Sequence, residues 1–175
     1  AVKQNSLDGA QPARLQSGGM AGGMKTALVT GGSRGIGAAL VKQLCADGYR
    51  VAFTYCHSKA EAEALRVQAG AHPIRADLSC EEEAAGLATE ALLLLGHLDA
   101  AAFNAGVSYT GLLADMAPAN WDALFAVNLR GAFLSAQPVI RHMVSRKKGS
   151  LLFTSSVWGV SGASCEAAYA ASKAG

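Results

Sequence analysis

The stretch Lys25-Thr-Ala-Leu-Val-Thr-Gly-Gly-Ser-Arg-Gly-Ile-Gly37 decides the fold. A short apolar run turns through a glycine cluster and leads into a helical pattern from Gly35 to Asp47 that Gly48 ends. The run Lys25 to Thr30 reads as a buried strand. Each glycine of the Gly-x-x-x-Gly-x-Gly spacing has a physical reading. Gly31 allows the tight turn, Gly35 lets backbone approach a pyrophosphate, and Gly37 permits close packing of helix on strand. The helix start then offers unpaired N–H groups and a positive dipole end to phosphates. Gly31, Ser33, Arg34, Gly35, Ile36 and Gly37 are therefore the candidate dinucleotide cradle.

Outward from this loop, strand and helix patterns alternate. Strands are expected at Arg50 to Tyr55, His72 to Ala76, Leu98 to Phe103 and Gly149 to Thr154. Between them fall helices at Lys59 to Gln68, Cys80 to Leu95 and Pro118 to about Val144, and another begins at Glu166. Ser79 is a candidate N-cap with Glu82 as its capping-box partner. Pro118 suits a first helical turn, whereas Pro138 is expected to kink its helix or remove a hydrogen bond. Alternation at this spacing means right-handed βαβ crossovers: an α/β, Rossmann-type doubly wound parallel sheet in one domain over residues 24–175. Residues 1–23 are polar, glycine-rich and aperiodic, and read as a disordered leader or upstream segment ahead of Met24.

Composition narrows the function. Hydrophobic residues make up 51% of the 175 positions, with 20 glycines, as in an Ala- and Leu-rich α/β protein. A net charge of +2 gives no basis for nucleic acid or a membrane surface as partner. Arg146-Lys147-Lys148 reads as a helix C-terminus, where cations suit the dipole. The four cysteines form no Cys-x-x-Cys pair and the four histidines no ligand cluster, so no metal is expected. The cysteines read as reduced and the protein as cytoplasmic, with no apolar run of about 18 residues to span a membrane.

Tyr169 and Lys173 lie four apart, on one face of the last helix. An ammonium beside a phenol favours the phenolate, so this pair can give and take a proton. Ser156 stands thirteen residues before the tyrosine, and Asn104-Ala-Gly106 lies between the glycine loop and that pair. Together, Thr30-Gly-Gly-Ser-Arg-Gly-Ile-Gly37, Asn104-Ala-Gly106, Ser156 and Tyr169-x-x-x-Lys173 resemble the short-chain dehydrogenase/reductase family.

The resemblance implies a nicotinamide cofactor, with Asp77 and Leu78 at the adenine ring and Asn104, Ala105 and Gly106 along the cleft. Phe103 stands where the family usually has another asparagine, and is expected to pack. It implies a catalytic set of Asn128, Ser156, Tyr169 and Lys173. Asn128 would hold a water, Ser156 would donate to the substrate oxygen, Tyr169 would protonate it, and Lys173 would assist Tyr169 and contact the nicotinamide ribose. NAD would call for an acid at the end of the second strand, but Phe53-Thr-Tyr-Cys-His-Ser58 has none. Arg34, with His57 and Lys59 nearby, can hold a 2′-phosphate, which points to NADP(H).

Along its length from Met24 the chain resembles the branch of 3-oxoacyl-acyl-carrier-protein reductases, which implies a carrier- or CoA-bound ketone substrate and a homodimer or homotetramer. Trp158-Gly159 and Gly162-Ala-Ser-Cys-Glu166 resemble a subgroup acting on the 5-aminopentanone modification of elongation factor P; Glu166 could meet a cationic amine there. Another small ketone is a further alternative. The family's fold runs about two strands beyond the catalytic helix, so five of seven strands are expected. The fifth is expected to have an apolar edge, and an inactive nucleotide-binding fragment stands as the alternative to an enzyme.

Overall fold

In the computed structural model, which describes residues 23–175, five parallel strands alternate with helices. The elements are β1 (Thr26–Thr30), α1 (Gly35–Ala46), β2 (Arg50–Tyr55), α2 (Lys59–Ala69), β3 (His72–Arg75), α3 (Glu81–Leu95) and β4 (Ala100–Phe103). After a 3-10 turn (Leu113–Asp115) come α4 (Pro118–Phe125), a π turn (Ala126–Gly131), α5 (Ala132–Arg146), β5 (Ser150–Phe153), α6 (Trp158–Ser161) and α7 (Ala167–Ala174). The leader expected over residues 1–23 lies, but for Gly23, outside the described residues.

The strand order is β3-β2-β1-β4-β5. The chain winds outward from β1 to β3, then returns to place β4 on the other side of β1. That reversal opens a crevice at the carboxyl ends of β1 and β4, where such sheets take ligands. Register follows the pleat: Leu28 lies beside Ala52 and Ala101, Val29 beside Phe53 and Ala102. Successive side chains point to opposite faces, so the sheet has two cores. Leu28, Ala52 and Ala101 pack under α3 and α5 with Leu87, Leu95 and Val139. Ala27, Val29, Val51 and Phe53 pack under α1 and α2 with Val41, Ala62 and Leu65. Burying a Val- or Phe-sized side chain contributes roughly 1.5–3 kcal/mol, which is why β1 is apolar on both faces.

Two expectations need correction, and two others gain detail. Ser79 does not cap α3: Cys80 is the N-cap residue, and no side chain bonds the helix start. The Ser79 hydroxyl is instead spent on Asp77 Oδ1 at 2.7 Å, and Glu82 accepts from Cys80 Sγ. The long helix carries a π turn upstream of Pro138 and continues through that proline, which has no N–H and so removes one backbone hydrogen bond, as expected. Arg146-Lys147-Lys148 does more than face a dipole. Lys147 ends the helix with φ 52°, and Arg146 and Lys148 both pair with Asp99. Finally, the helical stretch Pro118–Arg146 is 29 residues long with mean hydropathy 1.3 in its most apolar window, enough to cross a membrane by length and composition. Its Ser135, Ala136, Val139 and Met143 are buried, and the latter three join the core under the sheet, which gives a sheet-covering helix the same composition.

β5 is exposed along its length, with Leu152 and Phe153 each 55% accessible. The expected apolar edge is therefore present. Phe103 packs as expected, 4% exposed and stacked on Phe153 with ring centres 4.8 Å apart.

Candidate active site

The glycine loop is held from two sides. Thr54 of β2 takes the Gly31 N–H on its hydroxyl and the Gly32 N–H on its carbonyl, both at 2.9 Å. Thr30 accepts the Asn104 and Ala105 N–H groups on its hydroxyl at 3.0 Å. The Asn104 amide donates back to the carbonyls of Thr30 and Gly31 at 3.3 Å. Asn104 is thus a brace between β4 and the loop. Gly31 takes φ 64°, and a Cβ there would come 2.8 Å from Ala105 Cα. Gly35 takes φ 56° with nothing within 4 Å of its missing side chain, so the loop faces open space there. Gly37 is required chiefly by its own loop and the brace: a Cβ would lie 2.2 Å from the Gly31 carbonyl oxygen and 2.7 Å from Asn104 Nδ2.

Beside this loop runs a cleft of about 480 Å³. Its walls are the loop (Gly31, Ser33, Arg34), the end of β2 (Thr54 to Ser58), the end of β3 (Ala76, Asp77, Leu78) and the end of β4 (Asn104 to Val107). The structure therefore brings Arg34, His57, Asp77, Leu78, Asn104, Ala105 and Gly106 together, while Lys59 is not on the wall. Ser79 donates to Asp77 through its hydroxyl and its N–H, and these bonds hold the Asp77 carboxyl below the usual carboxylate range.

A second cleft of about 510 Å³ adjoins the first through Asn104, Gly106 and Val107. It contains Ile36, Ser156, Tyr169 and Lys173, so three of the four expected catalytic side chains share one space. Ser156 Oγ accepts the Trp158 N–H at 3.2 Å, which leaves its own hydrogen free to donate. Lys173 Nζ donates to the Thr154 carbonyl at 3.0 Å, and burial pushes this ammonium below its ordinary range.

Asn128 is the exception. It is 6% exposed and sits in the π turn, with its amide spent on protein partners. Oδ1 accepts from the Val107 N–H at 2.8 Å, and Nδ2 donates to the Val107 carbonyl and Ser172 Oγ, both at 2.9 Å. Ser172 in turn donates to the Tyr169 carbonyl at 2.8 Å. Asn128 thus joins the loop after β4 to α7, with no side-chain bond to Lys173 among the described residues. Single-turn π segments recur at functional sites.

Sequence reasoning passed over Thr54, Thr154, Ser155 and Ser172. Ser155 Oγ donates to the Lys173 carbonyl at 2.6 Å, so both members of the Ser155-Ser156 pair serve the site. The pairing of two serines at a strand end, and a serine directly before Lys173, were the available signals.

A parallel sheet that reverses at β1/β4, with a glycine loop opening on the crevice, defines a nucleotide-binding α/β protein. Residues 25–175 match the family model described as short chain dehydrogenase, and the chain belongs to that family. It is 36% identical over 156 residues to a 3-oxoacyl-[acyl-carrier-protein] reductase, FabG, of Staphylococcus aureus, covering 86% of this chain and 63% of that one. It is 40% identical over 152 residues to the acetoacetyl-CoA reductase of a Synechocystis species, covering 86% and 60%. Among solved structures, the acetoin dehydrogenase YohF of Salmonella typhimurium superposes with a TM-score of 0.82 at 30% identity, covering 86% of this chain and 62% of that one. A metagenomic short-chain oxidoreductase in complex with NADP gives 0.77 at 37%, covering 85% and 69%. The chain therefore spans less than two thirds of the length of the curated relatives it matches.

Proposed function

We propose that residues 24–175 form the cofactor-binding and catalytic part of an NADPH-dependent reductase of 3-oxoacyl thioesters. The observation that carries this reading is the shared cleft: Ser156, Tyr169 and Lys173 line a space continuous with the one beside the glycine loop. The names of the similar reductases supply the substrate class.

The residues fit a nicotinamide dinucleotide. The glycine loop, with its open face at Gly35, and the free N–H groups of the α1 start would take the pyrophosphate. Asp77 and Leu78 would face the adenine, and Arg34 and His57 a 2′-phosphate. Asn104, Ala105 and Gly106 would line the path to Lys173, which would contact the nicotinamide ribose. When bound, the cofactor supplies the hydride that reduces the ketone carbon.

The protein's own residues would orient the ketone and handle the proton. Ser156 has a free hydroxyl hydrogen to give to the substrate oxygen, where charge gathers. Tyr169 would pass its phenolic proton to that oxygen. Lys173, fixed on the Thr154 carbonyl, keeps a positive charge on the tyrosine's face of α7. Asn128 holds α7 against the loop after β4 rather than touching the reacting atoms.

Glu166, on which the aminopentanone alternative rests, lies outside the walls of both clefts and forms the N-cap of α7. This favours the thioester reading. A cytoplasmic location, and assembly into dimers or tetramers, belong to the same proposal. The exposed apolar side chains Phe133, Ile140 and Val144 of α5 support the latter.

Melting this chain with and without saturating NADPH, then assaying acetoacetyl-CoA reduction, tests the reading. Ligand at about 100 times its dissociation constant adds about 2.7 kcal/mol to a folded binder. Tyr169→Phe is expected to abolish turnover and keep the NADPH shift. Turnover that survives in the variant overturns the catalytic assignment. An NADPH shift without turnover in the parent chain supports the nucleotide-binding fragment instead.

A further inference from the structure

At the opposite end of the sheet from the clefts, one corner gathers five titratable side chains. Asp99, 9% exposed, precedes β4. Its Oδ2 accepts the Thr26 N–H of β1 at 3.1 Å and lies 3.0 Å from His97 Nε2. Its Oδ1 lies 3.4 Å from Arg146 and 3.3 Å from Lys148. The Asp99 carbonyl accepts the Ser150 N–H that begins β5. One residue earlier, the fully buried Leu98 is held on both sides of its backbone by α5. Its N–H donates to His142 Nε2 at 3.2 Å, and its carbonyl accepts from Arg146 at 2.9 Å. His142 and Arg146 stand four apart, one turn above each other on α5.

This clamp works in only one protonation state. A backbone N–H can donate to an imidazole nitrogen only if that nitrogen carries no proton, so His142 must be neutral with its hydrogen on Nδ1. A second proton on Nε2 would point a donor at a donor. We propose that His142 is a proton-operated clasp that ties the end of α5 to the start of β4, closed when neutral and open when protonated.

The surroundings favour the closed form. Burial, then the Arg146 guanidinium and His97, hold the His142 imidazole below its ordinary value, with Asp99 pulling the other way. Lys148 adds a second cation on Asp99, and α3, packed alongside, presents apolar Ala91 and Leu95 to the shared core. With the folded value depressed, the unfolded chain takes the proton first. The clasp's contribution is present above about pH 6.5 and is lost as pH falls through the lower folded value. Opening removes one of the bonds that hold the α5 end, leaving those of Arg146 and Lys148, and so loosens the turn that leads into β5, the most exposed strand.

Amide hydrogen exchange on this chain, read residue by residue by NMR, tests the clasp without reference to any catalytic activity. At about pH 7.5 the His142 nitrogens should report the Nδ1–H tautomer. Lowering to about pH 5.5, Leu98 protection, normalised to the intrinsic rate and to Leu28 of the central strand, should fall severalfold. His142→Gln, which offers a non-titrating acceptor, should keep Leu98 protection independent of pH, and His97→Asn should leave the fall in place. Should the glutamine variant fail to fold, the parent's tautomer and exchange decide alone. An Nε2–H tautomer, or Leu98 protection that tracks Leu28 across the range, overturns the proposal.

Discussion

Gly37→Ala is a sharp test of the loop geometry, because the structure gives the cost directly. The new methyl would sit 2.2 Å from the Gly31 carbonyl oxygen, 2.9 Å from its carbon and 2.7 Å from Asn104 Nδ2. Ordinary contact begins at 3.4 Å, so the carbonyl has to retreat by more than an ångström. Overpacking of this kind costs about 1–3 kcal/mol. The Asn104 amide would also lose its 3.3 Å bonds to the Thr30 and Gly31 carbonyls, about 1 kcal/mol more. A total of about 3 kcal/mol corresponds to roughly 6–12 °C in Tm for a domain of this size. Gly86→Ala is the control. Gly86 lies inside α3, has ordinary helical φ and nothing within 4 Å of its missing Cβ. That substitution should raise stability by about 0.5–1 kcal/mol. Thermal melts of both variants, followed by NADPH titration, read the result. Gly37→Ala should melt lower and bind NADPH at least about tenfold more weakly, a change of about 1.4 kcal/mol. If it melts with the parent and binds NADPH undiminished, the close approach of Gly37 to the loop and brace is wrong.

Arg34→Glu is expected to weaken NADPH binding far more than NADH binding, measured by titration with each cofactor; equal losses would remove Arg34 from the 2′-phosphate. Asp99→Asn should cost about 1.5–3 kcal/mol near neutral pH, the range for hydrogen bonds to charged groups. Burial works against the Asp99 carboxylate, but the Thr26 N–H and Lys148 outweigh it and hold the carboxyl below its usual range. Its stabilisation is therefore present above about pH 4 and lost as pH falls through the lower folded value. The gap between parent and variant in urea unfolding should accordingly shrink toward acid, and a gap that widens would reverse the assignment. Gly159→Ala places a Cβ 2.8 Å from both the carbonyl carbon and oxygen of Lys173. It should push α6 off the end of α7 and destabilise by about 1–3 kcal/mol, while an unchanged melt would show that the two helices are not in backbone contact.

Much of this architecture can be read from local pattern. The run Thr26–Thr30 is apolar on both faces because both faces are covered. Gly31 and Gly35 take the positive φ that the turn itself demands, while Ala105 against Gly31 and Asn104 against Gly37 arrive from beyond β4. The spacing of Tyr169 and Lys173 fixes their common face once α7 forms. Ser79 misled because its hydroxyl had two possible uses, and only the approach of Asp77 decides between them. The helix signal around Asn128 was correct, but nothing in Ala126–Gly131 marks a π turn by composition.

The tertiary structure alone decided the partnerships between distant segments. Asn104 braces the end of β1 across 74 positions, Asn128 reaches Ser172 across 44, and Asp99 meets Arg146 across 47. Residue type states what each group can donate or accept, and periodicity states which side of an element it lies on. Which partner fills that capacity depends on the return of β4 to the side of β1, a contact between remote segments that no local window contains. Backbone conformation is set by neighbours a few positions away, whereas hydrogen-bond satisfaction in a core is set by whichever chain arrives there.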